Sequence, residues 1–274
     1  MRQIGELPPC ADSIGLREEA RMPELWIMAL AAVAVITGTT LQRVSGAGVG
    51  LVVSPVFVLL FGGAAGVMAS NMTTLISASV LLVAVRREVN WSKAGKILAG
   101  AFPGAMIGAL CVLWLPSAWL AIVIGCIVLA AVLVTRFTPE LPHWDNGAAL
   151  GMTSVIAGAF NTTAGVAAPA LIVYSRLSRW DMHEMRATFQ PLFLGMAIMS
   201  LVFKSALGAT GFAEPPVWIL LVVPIPVLLG LLLGTKLAAR VTKERAQQLS
   251  LTLAGVGGVG AIGRGVLGLM GAGA

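Results

Sequence analysis

Carboxylates are missing from every apolar stretch of this chain. Its acidic residues all precede or separate those stretches: Glu6, Asp12, Glu18, Glu19 and Glu24 near the start, then Glu88, Glu140, Asp145, Asp181, Glu184, Glu214 and Glu244. Hard cations need anionic oxygen ligands, and a proton or sodium relay through lipid commonly runs over a buried carboxylate. The chain has no residues for that chemistry. Charge of either sign is scarce, at 11% of residues against roughly 25% in an average soluble domain. Cys10, Cys111 and Cys126 lack paired spacing, so they read as apolar fillers and not as a disulfide or metal site. His143 and His183 have no second ligand at metal spacing. No Gly-Lys-Ser/Thr phosphate loop and no nucleophile with its base are present. The expectation is a protein that is not an enzyme, with no catalytic residue, metal or cofactor.

Hydrocarbon is abundant instead: 58% of residues are hydrophobic and the mean hydropathy is +0.92. Apolar runs cover 25–42, 46–61, 66–85, 97–115, 117–135, 147–160, 164–175, 187–203, 216–235 and 247–270. Several approach the length of about 20 residues that spans a bilayer, which predicts an all-α polytopic membrane protein with roughly eight to ten membrane segments. The net charge of +6 would suggest nucleic acid in a soluble protein. Here topology accounts for it, and the bilayer is the expected partner.

The basic residues gather in alternate connections. Arg86, Arg87, Lys93 and Lys96 lie in 86–96, Arg136 in 136–146, Arg176, Arg179 and Arg186 in 176–186, and Lys236, Arg240, Lys243 and Arg245 in 236–245, whereas the intervening connections carry only Lys204. The positive-inside bias places the first set in the cytoplasm, with both termini outside a cytoplasmic membrane crossed many times. The direction of each segment then divides the chain into a polar tail (1–24), a first membrane repeat (25–136), a cytoplasmic linker (137–146) and a second repeat (147–274). The two run in opposite senses. Each is a leading interrupted helix pair followed by three transmembrane helices, which makes two inverted-topology repeats. Gly46 and Gly165 stand 119 residues apart, as do Asn71 and Gln190, and the GxxxG pairs Gly104/Gly108 and Gly230/Gly234 stand 126 apart. Sequence leaves open whether the leading pairs cross or re-enter, and whether the protein is a homodimer.

Interrupted helices survive in hydrocarbon only where protein or a watery cavity satisfies their free backbone groups, and in inverted-repeat carriers they frame the substrate site. The interruptions here are Gln42-Arg43-Val44-Ser45-Gly46-Ala47-Gly48 and Asn161-Thr162-Thr163-Ala164-Gly165. Arg43 has no acid at its depth. Its guanidinium either meets a bound oxyanion, which its fork of donors fits, or sits at the cytoplasmic tip of a turn. Helices starting after Gly46 and Gly165 would aim free N–H groups into one space, and Pro169 suits a first turn. Ser45, Asn161, Thr162 and Thr163 are the usual types for capping such ends or donating to a ligand. Asn71 and Gln190 are amides in apolar segments, suited to a ligand or to gluing helices. With Gln42 and Gly48 these form the candidate binding set. Arg264 is expected to snorkel to the interface.

The run SGAGVGLVVSPVFVLLFG, followed by VMASNMTTLISASV and a basic loop ending in VNW, resembles the first repeat of the TauE/SafE sulfite exporter family. The run TAGVAAPALIVYSRLSRWDMHEMRATFQPLFL is similar to its second signature, with Arg186-Ala187-Thr188 at the family's Arg-Ala-Thr segment. Ala47, Val49, Ala167 and Ala168 stand where the family has consecutive glycines, and Pro169 is the only one of its two prolines. The resemblance implies a secondary transporter that exports a small inorganic or organic sulfur oxyanion, such as sulfite or sulfoacetate, by alternating access. A passive anion channel and a non-transporting membrane scaffold are the alternatives.

Overall fold

A computed structural model describes residues 25–46, 49–137, 143–210 and 222–271. The tail with Cys10, Ala47 and Gly48, half of the linker (138–142), and Glu214 with the start of the 216–235 segment lie outside the described residues. Among the described residues the chain forms ten helices: α1 Leu25–Ser45, α2 Gly50–Phe61, α3 Gly63–Val85, α4 Trp91–Trp114, α5 Ser117–Phe137, α6 Gly147–Ala164, α7 Ala168–Leu177, α8 Met182–Ala206, α9 Pro224–Leu237 and α10 Lys243–Gly271.

Three helices begin with a polar first turn ahead of their apolar runs. The Asn90 side chain accepts from the Lys93 N–H at 2.9 Å and starts α4 at Trp91. Asp181 accepts from the His183 and Glu184 N–H groups at 3.0 and 2.9 Å and starts α8 at Met182. The third, α10, begins at Lys243. A capped, polar first turn costs nothing in water, so helices extend beyond the hydrocarbon layer that the apolar pattern marks. As a result Arg186 is a helical residue and not part of a loop.

Six helices, α1, α3, α4, α5, α8 and α10, are long and apolar enough to cross a membrane. The chain is a multi-pass membrane protein. With 12 residues, α2 reaches only about 18 Å at 1.5 Å per residue, well short of a hydrocarbon core about 30 Å thick. The first leading pair therefore joins one helix long enough to cross with one too short to do so. Leu30, Phe102, Ile107, Leu133, Val256 and Leu267 are exposed on the outer surface, and Trp26, Trp91, Trp114, Trp119 and Trp144 are exposed at or near helix ends. That distribution matches an apolar band bordered by interfacial indoles.

The main packing pairs are α4 with α6, α1 with α9, α5 with α10, and α3 with α8. Small residues set the first two. A β-carbon on Gly104 would lie 1.9 Å from the Val155 carbonyl oxygen and one on Gly108 2.7 Å from that of Ala159. In α9 the same addition would lie 2.6 Å from the Ile36 oxygen at Gly230 and 2.9 Å from the Thr40 oxygen at Gly234. Ile36 and Val155, like Thr40 and Ala159, stand 119 residues apart. Both GxxxG pairs thus seat matching helix backbones, at the spacing already seen between Gly46 and Gly165.

Candidate functional site

α1 ends at Gly46, whose φ of +77° lets its N–H return to the Gln42 carbonyl at 2.8 Å. This left-handed turn favours glycine. Just before it, Arg43 packs its stem on Gly234 and donates from Nε to Thr235 Oγ1 at 3.2 Å. Gln42 is 2% exposed, and neither its amide nitrogen nor its amide oxygen has a partner. Gly46 faces α8: a β-carbon there would lie 3.0 Å from Arg186 Cγ.

α6 ends in the same way at Gly165, with φ +73° and its N–H on the Asn161 carbonyl at 2.8 Å. Asn161 donates to Asn71 Oδ1 at 3.1 Å, and Asn71 donates to Ser200 Oγ and to the Val67 carbonyl, each at 3.1 Å. These bonds tie α6, α3 and α8 together inside the bundle. Ser54 on α2 donates to the Ala164 carbonyl, so the helix that follows the first interruption touches the second.

The expected side-chain caps are not made. α2 starts from Val49 and α7 from Ala167, and neither has a capping side-chain bond. The Ser45 hydroxyl donates back to the Leu41 carbonyl at 2.7 Å. Thr162 and Thr163 turn to α4, where Thr162 packs on Gly108 and Thr163 donates to the Gly108 carbonyl at 3.4 Å. The starts of α2 and α7 instead meet at a void of about 10 Å³ bordered by Gly50, Thr74, Asn161, Gly165, Ala168 and Phe193. Such a volume holds about one water. Ala167 and Ala168, which replace family glycines, both line it.

A cavity of about 670 Å³ opens between the ends of α1, α3 and α9 and the starts of α8 and α10. Gln42, Arg43, Gly46, Arg186, Gln190 and Thr235 line it. Glu88, Asp181, His183, Lys243 and Glu244 also border it and are exposed. The acids therefore lie in water, while Arg43 and Arg186 are partly buried. Arg186 Nε and Gln190 Oε1 are buried without a hydrogen-bond partner. Unpaired buried polar groups are rare because each forfeits its hydration, so a cluster of them in the wall of one cavity marks that wall as a candidate ligand site. A guanidinium and two amides at one wall suit an oxyanion.

Residues 30–262 match the family model described as Sulfite exporter TauE/SafE. The chain belongs to the TauE/SafE family. No curated protein and no solved structure matches it. The match covers both interruptions and every residue around the cavity of this TauE/SafE protein.

Its Arg-Ala-Thr segment can be read residue by residue. Arg186 borders the cavity, Ala187 is small and buried, and Thr188 accepts from the Asn90 N–H at 3.0 Å. Glu184 accepts from Asn90 Nδ2 at 2.7 Å and Trp180 Nε1 at 3.0 Å. These bonds fix the first turns of α8 against α4, and with them the height of Arg186. The Asp181 carboxyl is held below the usual aspartate range, chiefly by the Glu184 backbone N–H and, less strongly, by that of His183. The pattern of basic connections puts Arg186 in a loop; its position four residues before Gln190, on the same helix face, is the sequence signal that brings it to the cavity wall. Arg264, expected to snorkel, is exposed but donates to the Val58 and Leu59 carbonyls and so covers the end of α2.

Proposed function

We propose that this TauE/SafE protein is a secondary transporter that exports a small sulfur-containing oxyanion, sulfite or a short organosulfonate such as sulfoacetate, by alternating access across the cytoplasmic membrane. One observation carries the reading: Gln42, Arg186 and Gln190 each hold a buried, partnerless polar atom in the wall of one cavity of about 670 Å³. Arg43 adds charge to the same wall. The anion binds there, then passes the uncapped starts of α2 and α7, whose free N–H groups favour negative charge.

Two inverted repeats, 25–136 and 147–274, supply the movement. Support comes from the exchanged pairing of α1 with α9 and α6 with α4 through GxxxG surfaces at constant spacing. The positive-inside bias supports a cytoplasmic side at the helix ends bearing Arg86, Arg87, Lys236, Arg240 and Arg245, the same ends that border the cavity, with both termini outside. Ala167 and Ala168 narrow the path and favour the smaller anions of the class.

Export needs no coupled cation. Moving one negative charge out of an inside-negative cell releases about 2.3 kcal/mol per 100 mV. The deciding experiment titrates the purified protein with sulfite, sulfate, thiosulfate, sulfoacetate and taurine, then measures flux in proteoliposomes under an imposed potential. Sulfite or a sulfonate binding most tightly, with saturable flux that follows the potential, supports the reading. Preference for sulfate, or flux indifferent to potential, rejects it.

A further inference from the structure

Arg186, Gln190, Phe193, Ala197, Ser200 and Lys204 follow one another at alternating intervals of four and three along α8, so they form one stripe. The stripe begins at the cavity and ends about 27 Å away, at 1.5 Å per residue, on the far side of the bundle. Lys204 at that end is 0% exposed, and its Nζ has no hydrogen-bond partner. A lysine so near a helix end ordinarily extends its stem to water or lipid headgroups. Lys204 instead keeps its amino group inside, in the same unsatisfied condition as Arg186 Nε at the other end.

The stripe also connects to the centre. One turn before Lys204, Ser200 is bonded to Asn71, and Asn71 to Asn161, which borders the small central void. Polar groups thus run from the cavity wall, past the contact of the interruptions, to Lys204.

We infer that Lys204 is a second anion-binding group, holding the oxyanion on the side of the membrane opposite the cavity once the path past Gly50 and Gly165 opens. This rests on the proposed transport reading and adds a far-side station to it. An amine buried without a partner gives up its hydration, and an oxyanion beside it would supply both the missing hydrogen-bond acceptor and the counter-charge that an ammonium needs there.

The test uses sulfite exchange in proteoliposomes of known orientation, alongside equilibrium sulfite binding to the purified protein. Lys204→Gln and Lys204→Met should raise the half-saturating sulfite concentration on the far side about tenfold or more, the loss expected for one charged hydrogen-bond donor. Binding to the cavity-open protein should stay within twofold of wild type. Lys204→Arg should retain far-side affinity. Lys204→Cys, with the native cysteines replaced by serine, should recover it when a membrane-impermeant cationic thiol reagent is added on that side. The inference falls if Lys204→Gln or Lys204→Met, with wild-type thermal stability, leaves far-side half-saturation unchanged, or if the modified cysteine variant recovers nothing. Wild-type protein that neither binds nor exchanges sulfite defeats the transport reading itself.

Discussion

A β-carbon added to Gly50 would stand 1.9 Å from the carbonyl oxygen of Gly165. The start of α2 and the end of α6 thus meet backbone to backbone. Gly50→Ala should force the two interruptions apart. We expect it to destabilise the detergent-purified protein by about 1–3 kcal/mol, as overpacking does, read as a lowered thermal midpoint. An unchanged midpoint would show that the two backbones do not touch at rest.

Arg186→Ala should weaken sulfite binding by about tenfold to a hundredfold, because it removes a charged donor from a partly buried wall. Arg186→Lys should fall between wild type and alanine, since an ammonium keeps the charge but loses the planar fork. Arg43→Ala should weaken binding less, because Arg43 already spends its Nε on Thr235. Calorimetric titration of the three variants checks the order.

The bond from Asn161 to Asn71 joins the halves in the interior. Asn161→Ala strands the Asn71 oxygen and should destabilise by about 1–3 kcal/mol. The double replacement by alanine should be less harmful than the sum of the single ones, because the second removes a group the first has already left unpaired. Thermal unfolding of all four proteins gives the coupling.

Asp181 supplies the pH dependence. Its folded pKa lies below the ordinary value, so its stabilising effect is present above the unfolded aspartate pKa and disappears as pH falls through the depressed folded value. Asp181→Ala should therefore be less stable than wild type at neutral pH, with the two curves converging in acid below the usual carboxylate range. A constant difference across that range would show that the cap acts through something other than its charge.

The helical, membrane-embedded character was readable because hydrophobic run length is a local property that lipid enforces directly. The two interruptions were readable for the same reason: Gly46 and Gly165 sit among polar residues that a continuous apolar helix would not carry. Helix starts were misjudged where Asn90 and Asp181 extend α4 and α8 into water, and Arg186 was missed with them. Thr162 and Thr163 show the opposite failure. Their types suggested caps, yet they face Gly108 on a helix distant in sequence.

By itself, the sequence determined that this chain lives in a bilayer, that it breaks twice at polar glycine turns, and that no acid lies at depth to hold a cation. These follow from composition and order along the chain, which lipid reads one segment at a time. Only the tertiary structure decided which polar groups stay unsatisfied. Whether Gln42, Gln190, Arg186 or Lys204 finds a partner depends on which helix faces meet, and contact between distant segments leaves no local trace in the sequence.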